Sequence, residues 1–406
     1  MSNFSIFSVL GIEIEYMLVD KEHFNIQPKS DLILNALAGH YVNEIALGDI
    51  AISNELVMHV LEFKNNGPKP PSVPIAEQFQ KTILEIQPLL LEQNLILMPS
   101  GAHPWMDPNI ETVRWPYENN DIYQQYDIIF ECKGHGWSNL QSMHVNLPYS
   151  NDEEFCQLHN LIRLILPLLP ALAASSPILD GKPTGLLDSR LHFYSQNQQR
   201  IPSISGDIIP EFIRTEEEYQ QKILIPMYED IKPYDPHSVL QHPWLNSRAC
   251  IPKFDHKAIE IRTLDSQECV TADIAIAKVI CAILKNWYNS SQYYLEMPCE
   301  TKRLKSLFDR SIRSGLSTQV EDSELFVQWQ VPKRFRTLRE IWSYLIEKNS
   351  FALERSEQLA LEQILVQGNL SERILRAVGP ACNLDTLKNV YSQLTSCLLS
   401  NQQFQS

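Results

Sequence analysis

The chain has 406 residues, 44% hydrophobic and 20% charged, enough apolar material for a large core in one large domain or two. A formal net charge of -15 and a pI near 5.2 argue against a general nucleic-acid or anionic-membrane binder. They leave room for a nucleotide substrate, whose phosphates a metal can neutralise locally.

No hydrophobic run stands out as long enough to span a bilayer, and the first five residues lack the basic segment of a signal peptide. The eight cysteines are scattered with no Cys-x-x-Cys, so free buried thiols and a cytoplasmic location are expected.

Residues 4–20 read as a first strand. Residues 30–40 fit a short helix capped by Ser30 or Asp31. Residues 57–63 form a second strand, closed by the Gly- and Pro-rich break at 65–71. Helical spacing links Ile75, Phe79, Ile83, Ile86 and Leu90, with Pro88 expected to kink or split the helix. Residues 95–98 and 142–147 are further strands, and 152–174 an apolar helix interrupted at Pro167 and Pro170. Residues 175–206 are loop-rich, and 207–250 show few clear periods. Residues 258–264 are the last clear strand, and Thr271 caps a helix to about 289. Beyond 300 the pattern is helical, with Leu338, Ile341, Trp342 and Leu345 on one face. The expected organisation is a catalytic domain over 1–300 and a helical C-terminal region over 301–406 packed against it.

Three strands carry polar pairs at period two between aliphatic partners: Glu13/Glu15, His144/Asn146 and Glu260/Arg262. Alternate strand residues share a face, so each strand turns aliphatics one way and polar groups the other. Three such strands suggest an antiparallel sheet with a functional polar face. Carboxylates with one imidazole suit Mg2+ or Mn2+, and a nearby arginine suits phosphate or carboxylate. Glu55 and Glu62 are an odd number of residues apart. They can face one site only if Glu55 precedes the strand or a bulge intervenes. Removing a carboxylate from an acidic cluster relieves repulsion, so Glu13→Gln is expected to impair metal-ATP use while metal-free stability holds or rises. His103 reads as a structural loop residue, His59 as core or surface, and Trp137 as a packed aromatic or a gate. No P-loop, Gly-x-Gly-x-x-Gly, His-Glu-x-x-His or Gly-x-Ser-x-Gly occurs.

In order, Gly11-Ile-Glu-Ile-Glu15, Glu55 through Glu62-Phe63, Gly101-Ala-His-Pro104, Arg114, His144-Val-Asn146, Ser176-Pro177, Gly181, Thr184-Gly185, Arg190 and Glu260-Ile-Arg-Thr-Leu-Asp265 resemble the glutamate–cysteine ligase superfamily. The likeness is to its second type and to the bacterial carboxylate–amine ligases. It implies an α+β fold with a curved, mostly antiparallel sheet flanked by helices, related to glutamine synthetase and the guanido kinases. It also implies ATP and Mg2+, with Mn2+ as an alternative.

By this likeness Glu13, Glu15, Glu55, Glu62, His144 and Glu260 form the metal shell. Arg190 and Arg262 hold phosphate or the substrate carboxylate, and Asn146 joins them in holding the cofactor. The activity implied is activation of a carboxylate, the glutamate γ-carboxylate above all, as an acyl phosphate that an amine such as cysteine attacks, as in glutathione biosynthesis. Small-molecule amino acid and amine substrates are expected, with neither nucleic acid nor membrane as partner. The sequence leaves the assembly open, a homodimer included. A metal-dependent amide or phosphate-ester hydrolase is the alternative for the same acidic floor. Residues 115–141 and the helical tail match the family poorly and are candidates for substrate choice.

Overall fold

The computed structural model describes residues 4–290 and 293–406. Strand β1 (Gly11–Asp20) turns Ile12, Ile14 and Tyr16 into the core, each fully buried, and Glu13 and Glu15 the other way. It starts at Gly11 rather than at residue 4. Ahead of it the Ser8 N–H closes a turn onto the Ser5 carbonyl, and the Ile6 N–H is held by Glu154.

β1 lies at the centre of an antiparallel sheet. On one side follow β4 (Val60–Asn65), β3 (Ile50–Asn54) and β2 (Glu44–Leu47). On the other follow β6 (Ser142–Pro148), β10 (Ala258–Asp265) and β9 (Cys250–Lys253). β5 (Leu95–Met98) pairs with the far end of β1. A separate hairpin joins β7 (Ile178–Leu179) to β8 (Lys182–Pro183).

β2, β3, β9 and the short β7–β8 hairpin are additions to the sequence reading. β2 and β3 are short and joined at a tight turn where Gly48 takes a left-handed φ of 68°. β9 contains Pro252, a residue that weakens any strand signal. The second strand runs over Val60–Asn65, and Val57 makes only an isolated bridge to Arg114.

The apolar face of the sheet meets a helical layer. Helix Ile75–Glu92 passes unbroken through Pro88. The backbone bond that proline removes falls on an exposed side of the helix, beside Leu84, so water can replace it. Helix Asp152–Ile165 continues through a single 3-10 turn at Pro167 into Leu169–Ala173, where Pro170 occupies the first turn and interrupts nothing. Asp152–Ala173 is long and apolar enough to cross a bilayer, with a mean hydropathy of 1.4, contrary to the sequence reading, but its apolar window is wholly buried inside the protein. The following core helix, Val270–Ser290, begins one residue before Thr271, whose N–H is taken by Asn401 Oδ1 rather than Thr271 serving as cap. Helix Ser30–Ala38 likewise has Lys29 at its cap position, with no side-chain cap bond.

Residues beyond 300 contribute to both hydrophobic clusters. Leu304, Phe308, Trp329 and Trp342 join the large core, while Leu370, Ile374 and Leu394 join a smaller one around Met17, Val19 and Met98. The indole N–H groups of Trp329 and Trp342 donate to the Leu164 and Leu168 carbonyls, each at 2.9 Å. A buried Arg373–Glu268 pair ties a late helix to the segment just after β10. All eight cysteines are free.

Candidate active site

Cross-strand register assembles the site. Glu13 on β1 lies opposite His144 on β6 and Lys64 on β4. Glu15 lies opposite Glu62, and Glu260 on β10 lies opposite Asn146. Directly opposed residues share a face, so this register puts every one of these groups on the side away from the helical layer.

The ligand atoms of Glu13, His144 and Glu260 lie within 4.8 Å of one another, and so do those of Glu15, Glu62 and His144. His144 thus joins two triads. Its Nδ1 contacts Glu13 Oε2 at 3.0 Å and its Nε2 contacts Ser142 Oγ at 2.9 Å. Ser142 in turn donates its N–H to Glu15 Oε2 at 2.7 Å and its hydroxyl at 3.2 Å. Asn146 Nδ2 donates to Glu13 Oε1 at 3.1 Å. Gly11 faces Asn146, and a Cβ there would come within 3.3 Å of the Asn146 Cβ. Glu55 follows β3 and precedes β4, the first of the two arrangements that let it face the same side as Glu62; it belongs to neither triad.

Three cations border the floor. Lys253 Nζ lies 3.2 Å from Glu13 Oε1 and also contacts Glu260 Oε2. Arg262 Nε lies 3.1 Å from Glu260 Oε1, and its Nη1 reaches the Tyr194 hydroxyl and the Asn246 carbonyl. Lys64 Nζ lies 3.1 Å from Glu62 and 2.8 Å from Glu44. Ser53 Oγ donates to Glu62 Oε1 at 2.9 Å.

Burial opposes ionisation of every carboxyl here, but the outcomes differ. At Glu13 the hydrogen bond from His144 and the Lys253 charge outweigh burial and hold the carboxyl well below its usual range. At Glu260 the charges of Lys253, Arg262 and His144 do the same. Glu15 goes up, through burial and the Glu62 charge. Burial and Glu15 push Glu55 up to about 7, and burial with Glu13 and Glu55 pushes Glu62 up to about 7. At His144 burial is outweighed by Glu260, Glu13 and Glu15, which raise the imidazole to about 9. The two hydrogen bonds of His144 suit the imidazolium, a donor from both nitrogens.

Arg190 is not brought to the open face. Its guanidinium is 1% exposed and its Nε is held by Asp265, leaving Nη2 without a partner among the described residues. Its charge still acts on Glu15. Asp265 is fixed by Ser176 and packed so tightly that a Cβ at Gly101 would meet its carboxyl at 2.4 Å. His103 Nε2 donates to the Phe24 carbonyl while its Nδ1 accepts the Trp105 N–H, and burial lowers it to about 3. His59 Nε2 contacts the Ser138 carbonyl, and burial lowers it to about 4. Both serve the scaffold. Arg114 pairs with Asp127 and touches none of the floor.

Helix Asn120–Phe130 borders the polar face. Tyr123 lies 3.5 Å from Asn54 Nδ2, and Tyr126 packs on Trp137 and Trp244, with the Arg262 charge in range. A cleft of about 730 Å³ lies beyond Trp137, lined by Trp105, Glu131, His135 and Phe193 among others, and includes none of the floor carboxylates.

Sequence reasoning assigned no role to Lys64, Lys253 or Ser142, and quoted Asp265 only as the end of a motif. Lys64 continues the period-two face from Glu62, so the signal was present. Lys253 sits on a strand too short to be read.

The profile of glutamate–cysteine ligase family 2 (GCS2) matches residues 9–392. The chain belongs to this family. It is thereby an ATP-dependent carbon–nitrogen ligase by descent. An uncharacterized protein of Archaeoglobus fulgidus is 33% identical over 398 residues, covering 97% of this chain and 99% of its own length. A Bradyrhizobium diazoefficiens protein named "Putative glutamate--cysteine ligase 2" is 22% identical over 285 residues, 68% of this chain and 59% of that relative. The match therefore spans less than two thirds of that relative's length. The fold is shared with the crystal structure of a glutamate–cysteine ligase from Francisella tularensis in complex with AMP. There the TM-score is 0.62 at 14% identity, over 97% of this chain and 90% of that one.

Proposed function

We propose that the protein uses ATP and Mg2+ to activate a carboxylate, the glutamate γ-carboxylate first, and to couple it to an amine such as cysteine. The observation that carries this reading is the pair of ligand triads meeting at His144, with Arg262 at their edge.

The donor set fits the metal. Carboxylate oxygens and one imidazole, packed closely enough to repel, favour a hard divalent cation. Glu13, His144 and Glu260 would hold one ion, and Glu15 and Glu62, with Glu55 nearby, a second. Bound there, Mg2+ would neutralise phosphate charge.

The chain's own residues do the rest. A carboxylate is a poor electrophile, and transfer of a phosphoryl group to it creates a leaving group that an amine can displace. Such transfer needs positioning and charge neutralisation more than a protein nucleophile. Arg262, anchored by Tyr194 and the Asn246 carbonyl, is placed to orient an anionic substrate. Arg190 supplies positive charge from beneath the floor while Asp265 fixes its plane. Asn146 and Ser142 orient the Glu13 and Glu15 carboxylates.

The test is an ADP-release screen of amino acids and amines with glutamate present. Release that requires both an acid and an amine supports the reading. Amide or phosphate-ester hydrolysis without nucleotide would replace it with a metal-dependent hydrolase.

A further inference from the structure

Lys253 contacts Glu13 and Glu260, two of the three ligand groups in one triad, and no other carboxylate among the described residues. The register explains why. Glu260 lies opposite Ile251 and Lys253 opposite Ala258, so Lys253 and Glu260 are diagonal neighbours on one face. An ammonium has three donors and no acceptor, so it cannot share a metal's coordination sphere. A divalent ion on the same carboxylate oxygens would stand against it at a few ångströms, where like charges repel strongly.

The other two cations are differently placed. Lys64 holds one triad carboxylate, Glu62, and a second carboxylate outside the site, Glu44. Arg262 holds Glu260 but is also moored to Tyr194 and the Asn246 carbonyl. Each keeps an anchor when its triad carboxylate is taken. Lys253 has no such anchor, is a third exposed, and hangs on a flexible four-carbon stem.

We propose that Lys253 is an exchangeable counter-cation of the floor: its ammonium clamps Glu13 and Glu260, and a divalent cation binding with His144 displaces it toward solvent. The proposal rests on the metal reading of the floor given above. It adds that metal entry is an exchange of one cation for another at that triad, whereas Lys64 and Arg262 stay in place.

Mn2+ titration calorimetry on metal-stripped, full-length protein tests it. Lys253→Met is expected to bind Mn2+ severalfold more tightly than wild type, because the competitor is gone. Its metal-free melting temperature falls while its Mn2+-saturated one stays near wild type. Lys64→Met shows the smaller change in affinity. A wild-type readout guards against a variant that fails to fold: reductive methylation of Lys253, read by mass spectrometry, rises when Mn2+ is added. Equal or weaker Mn2+ affinity in a folded Lys253→Met, or methylation of Lys253 indifferent to Mn2+, overturns the exchange while leaving the metal floor standing. A wild type that binds no Mn2+ overturns both.

Discussion

The two carboxylate clusters that meet at His144 are built from the same side chains in opposite electrical settings. Around Glu13 and Glu260, Lys253, Arg262 and His144 outweigh burial, and both carboxyls are held ionised. Around Glu15, Glu55 and Glu62 the charges of His144, of Lys64, which Glu44 shares, and of Arg190 do not outweigh burial and the neighbouring carboxylates, and burial wins. A sheet can therefore bury carboxylates in two ways, by supplying fixed cations or by leaving protons in place. In the second way an entering metal ion must displace protons.

The comparison is broken most directly at Glu13. Replacing it by Gln removes the partner of His144 and one of the two partners of Lys253. Urea unfolding of metal-free protein is expected to show a loss of roughly 2–4 kcal/mol. Sequence reasoning gives the opposite sign, because it weighed the repulsion between carboxylates and not the pairing of Glu13 with His144 and Lys253. Unchanged or raised stability would mean that the two halves are alike after all.

Glu62→Gln is expected to behave differently. The Glu62 carboxyl has a folded value of about 7, above its ordinary 4.5. A raised value means its contribution is complete below pH 4.5 and is lost as pH rises through 7. Metal-free wild type should thus lose stability over that window, and the variant should lose less, by on the order of 2 kcal/mol. The variant should equal or exceed wild type at pH 8. Parallel pH profiles for the two proteins would remove the proton-bearing half from the account.

A subtler effect sharpens the same contrast. Metal ligands must be deprotonated, so Mn2+ binding is expected to release the His144 proton at pH 6 and pH 8 alike and the Glu55 and Glu62 protons mainly at pH 6, making the release larger at pH 6. Titrations in two buffers of different ionisation enthalpy measure this. Glu62→Gln should reduce the release at pH 6. Equal release at both pH values would contradict the assignment of protons to Glu55 and Glu62.

How much of this was legible in the chain follows from strand geometry. Glu13/Glu15, His144/Asn146 and Glu260/Arg262 announce a polar face because period two is a local property of each strand. Which residue faces which is not local. Register places Glu15 against Glu62 and Lys64 against Glu13, and no spacing in the sequence reports it. Glu55 was resolved to two arrangements, and its position ahead of β4 selects one. Lys253 was invisible because β9 has four residues and a proline. Arg190 was found as a residue, but not its burial against Asp265, a contact 75 residues away. The aromatic packing of Tyr126, Trp137 and Trp244 joins three segments, none with a period to read.

The measurement closest to the central claim is anomalous scattering from crystals grown with Mn2+. Two peaks are predicted on the polar face of the sheet, one flanked by Glu13, His144 and Glu260 and one by Glu15 and Glu62. No peak at the floor, or manganese bound only elsewhere, would contradict it.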